Sequence, residues 1–233
     1  MIEREAVSMP DRLAPVSALM ITLCIVATGC GNLPAVGTCP EGMIYIPAGP
    51  FAYGGKATTK RKTTKEEIGA FCIDAHEFPN TPGVRPLTGV TWMEAASKCE
   101  QVGKRLCTEY EWEKACRGRG GRRYPWGRSF LEANCPGASG DGNGYVSGAN
   151  ESCSSPYGVR DMSGSVWEWT SNTFEGDPLR RVARGGYDPD VGALSARCSY
   201  RRGVESSQSS TNMGFRCCAK PTVVPLGGVG YGP

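Results

Sequence analysis

The sequence predicts one loop-rich α+β domain stabilised by disulfides, and three observations carry that reading. Gly and Pro supply 32 and 17 of the 233 residues, more than a fifth together, so long regular helices cannot dominate. Two short segments open with helix-start signals. The chain holds 12 Cys, of which ten lie beyond an apolar leader, an even number that suits full pairing in an oxidising compartment. The length fits one domain with tails, and 39% apolar residues suffice for one core. With 26 Lys and Arg against 23 Asp and Glu, evenly mixed, no nucleic-acid partner is expected. A single His excludes metal sites built on several imidazoles.

Residues 13–28, LAPVSALMITLCIVAT, form an uncharged apolar run, shorter than the roughly 20 residues of a membrane span. The run suits a secretory leader, and the following Ala27-Thr28-Gly29-Cys30 resembles the lipobox of bacterial lipoproteins, in which the cysteine is lipidated. The expected organisation is a signal peptide over residues 1–29, a tether over 30–38, a domain over 39–220 and a flexible tail over 221–233. Gly31, rather than an acidic residue, follows Cys30, which points to the outer membrane of a Gram-negative envelope. The first twelve residues carry Glu3, Glu5 and Asp11 against Arg4 and Arg12, so a start at Met9 gives a more ordinary basic leader.

Within the domain, residues 41–55 alternate apolar side chains and end in Gly-Gly, as a strand and turn do. The basic, Thr-rich stretch 56–67 reads as a solvated loop. Residues 70–77 read as a second strand, in which His76 is a packing or surface residue. Thr91-Trp92-Met93-Glu94 is a capping box that opens a helix stopped at Gly103. Thr108-Glu109-Tyr110-Glu111 repeats the device for a helix ended by Gly118. Residues 119–160 are rich in turn formers, with Tyr124-Pro125-Trp126-Gly127 as an aromatic anchor, and the last fifteen residues carry no periodicity. The ten cysteines beyond the leader show no CxxC spacing, which disfavours zinc knuckles and favours five disulfides of open pairing.

Eight motifs then occur in order. They include Met43-Ile44-Tyr45-Ile46-Pro47-Ala48-Gly49, Phe71-Cys72-Ile73-Asp74, Gly103-Lys104-Arg105-Leu106-Cys107-Thr108-Glu109, Tyr157-Gly158-Val159-Arg160-Asp161-Met162-Ser163-Gly164-Ser165-Val166-Trp167-Glu168-Trp169, Arg184-Gly185-Gly186 and Gly214-Phe215-Arg216-Cys217. From about Met43 to Cys217 the chain resembles the sulfatase-modifying factor family, founded on the formylglycine-generating enzyme. The resemblance implies a C-type-lectin-like α+β fold, poor in regular secondary structure. It also implies disulfides joining Cys116 to Cys198 and Cys99 to Cys217. For the remaining cysteines the expected pairs are Cys72 with Cys107, Cys135 with Cys153, and Cys39 with Cys218.

The same resemblance exposes a departure. The family enzyme oxidises a substrate cysteine at copper(I) held by two thiolates, located between the Arg-Gly-Gly segment and the cysteine matching Cys198. In this chain residues 187–197 read YDPDVGALSAR and contain no cysteine, and Asp188 and Asp190 are hard ligands that disfavour copper(I), so no copper is expected. Calcium is the cofactor the resemblance implies, through Asp161, Glu168 and the carbonyls of Gly164 and Val166, with a second set at Asn134, Cys135, Asp141 and Asn143. The expected function is an exported, lipid-anchored, non-catalytic binding or scaffold module. Its ligand face would use Asp188, Asp190, Arg184, Arg197, Arg201 and Arg202, and its partner an unknown protein or small ligand besides the membrane at Cys30. The alternative is an oxidoreductase of the formylglycine-generating type with a diverged site, for instance at Cys217 and Cys218. A weaker analogy suggests sugar stacking on Trp126, Trp167 or Trp169.

Overall fold

The computed structural model describes residues 36–54, 64–135 and 145–224, all within one compact unit, Pro34–Pro233. The leader, Cys30, most of the basic 56–67 stretch, and Asp141 and Asn143 lie outside the described residues. The strands in chain order are β1 (Val36–Thr38), β2 (Met43–Ile46), β3 (Gly49–Tyr53), β4 (Thr64–Ile68), β5 (Phe71–Asp74) and β6 (Arg105–Leu106). They continue as β7 (Trp167–Phe174), β8 (Asp177–Arg184), β9 (Arg202–Glu205), β10 (Met213–Phe215), β11 (Cys217–Ala219) and β12 (Thr222–Val224). Helix α1 spans Trp92–Gln101 and α2 spans Glu109–Arg117.

Both helices start where the capping boxes place them. Thr91 and Thr108 accept the amides of Glu94 and Glu111, whose carboxylates return the bond to the cap amides at 2.8 Å each. Gly118 caps α2 at φ 62°, and Val102 caps α1 just before Gly103.

The sheet β2-β5-β11-β6 divides the interior. One face carries Ile46, Phe71, Ile73 and Cys218 against Trp112 and Cys116 of α2. The other carries Leu106 and Cys217 against Ala95 and Cys99 of α1 and against the second sheet, β10-β7-β8-β9. In that sheet β10 runs parallel to β7, while β7, β8 and β9 are antiparallel. The β7–β8 hairpin closes through Glu175 and Gly176, both at positive φ (53° and 81°), a two-residue turn whose twist matches the strands.

All ten described cysteines are paired. Cys116–Cys198, Cys99–Cys217 and Cys135–Cys153 agree with expectation. The other two pairs are exchanged: Cys39 joins Cys72 and Cys107 joins Cys218. The reason is strand alternation. Cys218 lies opposite Ile73 and so shares its face, whereas Cys72, one residue earlier, lies opposite Tyr45 and Ala219 on the other face. Cys107 follows Leu106, which faces with Cys217, so Cys107 falls on the Cys218 side. At the ends of the domain β1, in the stretch expected as a tether, pairs antiparallel with β12, in the stretch expected as a tail.

The Arg184-Gly185-Gly186 motif has a packing reason. A Cβ on Gly186 would lie 2.3 Å from the Trp167 indole, and one on Gly185 would lie 2.8 Å from Trp112. Each glycine is the floor under a buried tryptophan. Gly186→Ala is expected to destabilise the domain by about 1–3 kcal/mol, the usual cost of overpacking a rigid site, read as a lower midpoint in chemical denaturation.

Candidate functional site

The segment from Asp161 to Glu168 folds around buried charge. Asp161 sits in the left-handed region at φ 59°, a conformation Asp tolerates better than most residues. Its Oδ2 accepts the Gly148 amide at 2.6 Å, and His76 Nδ1 lies 3.8 Å away. His76 is 13% exposed in its side chain, so it is a packing residue beside an acid. Glu168 is fully buried and receives Arg216 on both oxygens, Nε to Oε2 and Nη2 to Oε1 at 2.7 Å each, while Trp112 Nε1 donates to Oε2 at 2.8 Å. Beside this pair lies Glu77, also fully buried, with Ser147 donating to Oε2 at 2.8 Å and Ser165 Oγ 2.7 Å from Oε1. Arg216 Nη2 is 4.0 Å from Glu77.

These distances bear on the expected calcium ligands. As arranged, the set does not fit a calcium ion: the Glu168 charge is met by Arg216, its oxygens carry three short hydrogen bonds, and Asp161 Oδ2 is engaged by backbone. Asn134 ends a short 3-10 turn, Glu132–Asn134, and its expected partner Asp141 lies outside the described residues. Among the described residues no three His, Cys, Asp or Glu side chains converge as metal ligands. A cavity of about 160 Å³ opens beside Asp161, lined also by Tyr145, Asn150, Ser163 and the Cys135–Cys153 bridge.

The face formed by residues 187–197 is a turn closed on itself. The Asp188 carbonyl accepts the amides of Val191 and Gly192, its Oδ1 accepts the Asp190 amide at 3.1 Å, and its own amide donates to Ser195 Oγ at 2.9 Å. Tyr124 fastens the turn through its hydroxyl to the Ala193 carbonyl at 3.0 Å. A partly exposed aromatic row runs beside it, with Tyr124 against Trp126 at 5.4 Å between centroids and Phe130 against Tyr187 at 6.5 Å.

The arginines assigned to this face divide. Arg184 is fully buried, with Nη2 2.9 Å from Glu109 and Nη1 3.1 Å from Glu113, so it is an internal cation and cannot present itself to a ligand. Arg201 is committed as well, donating to Glu109 at 2.9 Å with its guanidinium over Phe174. Asp190 and Arg202 are exposed, Asp188 and Arg197 half-buried, and Arg202 lies 5.6 Å over the Trp167 ring. Trp167 and Trp169 are buried in the core, and Trp126 is half-exposed. Cys217 and Cys218 belong to separate disulfides, to Cys99 and Cys107.

Sequence reading missed the acids that hold Arg184. Glu109 and Glu113 lie one turn apart on the α2 face that also carries Trp112 and Cys116, and an acid on an apolar stripe was the available signal. Burial opposes ionisation of Glu109, but Arg184 and Arg201 outweigh it and hold the carboxyl below its ordinary value. Glu113 goes the other way, raised by burial despite Arg184 and Arg117.

Glu77 is pushed up to about 7 by burial, with Arg216 opposing and Asp161 and Glu168 reinforcing the rise. A carboxyl whose pKa is raised on folding contributes stability below its unfolded value, near 4.5, and loses it as pH rises through about 7. Glu77→Gln removes this proton uptake while retaining an acceptor and a donor for Ser147 and Ser165. Between pH 5 and pH 8 the wild-type domain is therefore expected to lose on the order of 2–3 kcal/mol more than Glu77→Gln. Parallel pH profiles of the two proteins in urea denaturation would refute the assignment.

Comparison with known proteins agrees with this architecture. The sulfatase-modifying factor enzyme 1-like domain matches residues 79–221. The bovine (Bos taurus) protein named inactive C-alpha-formylglycine-generating enzyme 2 is 35% identical over 150 residues, 58% of this chain and 50% of that protein. The mouse (Mus musculus) formylglycine-generating enzyme is 31% identical over 163 residues, 58% and 44% respectively. The chain thus spans about half the length of the curated relatives it matches. Treponema denticola variable protein 1 superposes with a TM-score of 0.64 at 18% identity, over 77% of this chain and 95% of that one, a likeness of fold. With the family match covering most of the folded region and the predicted C-type-lectin-like architecture observed, this chain belongs to the sulfatase-modifying factor enzyme 1-like domain family.

Proposed function

We propose that this domain is a non-catalytic binding or scaffold module, exported and carried on a lipid anchor at Cys30 in the envelope of a Gram-negative bacterium. One observation carries the reading: all ten cysteines from Cys39 to Cys218 are engaged in five disulfides, and the 187–197 interval has none. Copper(I) chemistry on a substrate cysteine needs soft thiolate ligands, and the described domain has no thiolate to offer. Five bridges also suit an oxidising compartment, in line with export. The presence of an inactive-named protein among the relatives is compatible with a family member that has kept the fold and lost the reaction.

The surface offered for binding is the self-capped 187–197 turn with Asp190, the neighbouring Arg202, and the aromatic row from Trp126 to Tyr187. A turn fixed by its own hydrogen bonds presents these groups with little ordering cost on association. The competing reading is an oxidoreductase of the formylglycine-generating type with a diverged site, since relatives that bear that name match equally long stretches of the chain. The two separate in one experiment. Residues 31–233 are incubated aerobically with copper and a peptide containing one cysteine in a sulfatase-type sequence, and the peptide is probed with an aldehyde-reactive label. No labelled peptide above a protein-free control is expected; stoichiometric aldehyde would establish the oxidoreductase instead.

A further inference from the structure

Away from the charged cluster around Arg216, α2 carries a cation in an unusual position. Lys114 is 4% exposed, yet among the described residues no carboxylate comes within salt-bridge distance of it. Its Nζ donates to the carbonyls of Gly49 at 3.1 Å and Ile68 at 3.2 Å, which anchors the open end of the β3–β4 hairpin to the helix. An ammonium has three donors, so one remains. A buried ammonium bonded only to carbonyls, with Glu67 attracting it from beyond salt-bridge distance, is costly unless a closer counter-ion completes it.

Lys114 lines a pocket of about 400 Å³, a size suited to a small molecule. Burial is the main influence disfavouring the Lys114 ammonium, and Arg119, exposed on the same pocket, adds a smaller repulsion from a second positive charge. Tyr157 forms another wall, and its buried hydroxyl makes no hydrogen bond among the described residues. Glu67 on β4 exerts some attraction on Lys114 but does not line the pocket. The rest of the lining is apolar and rigid, from Pro47, Ala48 and Pro50.

We propose that this pocket binds a small organic carboxylate. The carboxylate would meet the free donor of Lys114 and the Arg119 guanidinium, and its apolar body would rest on Pro47 and Pro50. Two cations in the lining and no acid there select an anion; the proline wall selects one with a hydrocarbon part. The site stands apart from the 187–197 face and holds whether or not the domain is catalytic.

The test is a titration of residues 31–233 with butyrate and, separately, with inorganic phosphate, at ionic strength matched with chloride and followed by amide NMR shifts and thermal melting. Butyrate is expected to saturate, shifting the amides of Gly49, Lys114 and Tyr157 and raising the melting temperature. Arg119→Glu, a change at an exposed rim residue, is expected to weaken butyrate at least tenfold without altering the melting temperature of the free protein. Lys114→Met is expected to abolish binding; if that variant fails to fold, Arg119→Glu still decides. Saturation by phosphate but not butyrate overturns the carboxylate assignment, and linear, non-saturating shifts with both, or equal butyrate affinity in Arg119→Glu, overturn the site.

Discussion

The bidentate pair between Arg216 and Glu168 is the constraint on which the rest of the domain depends. Both groups are withdrawn from water, a step that costs several kcal/mol per ion and is offset only when geometry and hydrogen bonding are nearly complete. Here they are: two 2.7 Å contacts, a third bond to the carboxylate from Trp112, and two carbonyls of the β5 end, Asp74 and Ala75, accepting from Nη1. Because Arg216 links β10 to β11, Glu168 lies on β7, and Trp112 lies on α2, one ion pair fixes both four-stranded sheets and a helix in register. Removing either partner would leave an unpaired charge in the core, typically a loss of about 3–5 kcal/mol.

The second buried cation, Arg184, repeats the logic along the same face of α2. Glu109 and Glu113 reach it from the helix, Tyr53 donates toward Glu109 at 2.6 Å from β3, and Arg117 and the Gly54 amide close Glu113 at 2.8 and 2.9 Å. With α2 held at Trp112 by Glu168 and at Glu109 and Glu113 by Arg184, the disulfides add closure rather than shape. Cys99–Cys217 and Cys116–Cys198 span 118 and 82 residues, long loops whose cross-linking removes much unfolded-state entropy. Such a scaffold leaves recognition to its loops, and the proposed binding face lies on the 187–197 turn and its aromatic neighbours rather than in the core.

Local chemistry was legible from the sequence, and pairings over long distances were legible only through family resemblance. Thr91 and Thr108 announced both helices because a capping box is complete within four residues. The Cys116–Cys198 and Cys99–Cys217 bridges came from the resemblance, whereas the exchanged pairs at Cys39, Cys72, Cys107 and Cys218 turned on which strand lies beside β11, and strand order is not written locally. Val36–Thr38 and Thr222–Val224 are too short to show periodicity, so their pairing at the ends of the domain was hidden. In the sequence Arg184 reads as a surface ligand group because its partners, Glu109 and Glu113, lie more than seventy residues earlier. Glu77 carries no local signal for a similar reason: Ser147 and Ser165, which hold it, lie 70 and 88 residues away.

The proposed surface-presenting role stands on the engagement of all ten described cysteines in bridges. The most direct measurement is a free-thiol count on residues 31–233, purified from an oxidising compartment, denatured without reduction and alkylated before intact-mass analysis. That fragment excludes Cys24 and Cys30, so any adduct reports on the domain itself. No alkylated species is expected before reduction, and ten adducts after it. Two adducts per molecule without reduction would contradict it, and the peptides that carry them would locate a redox site.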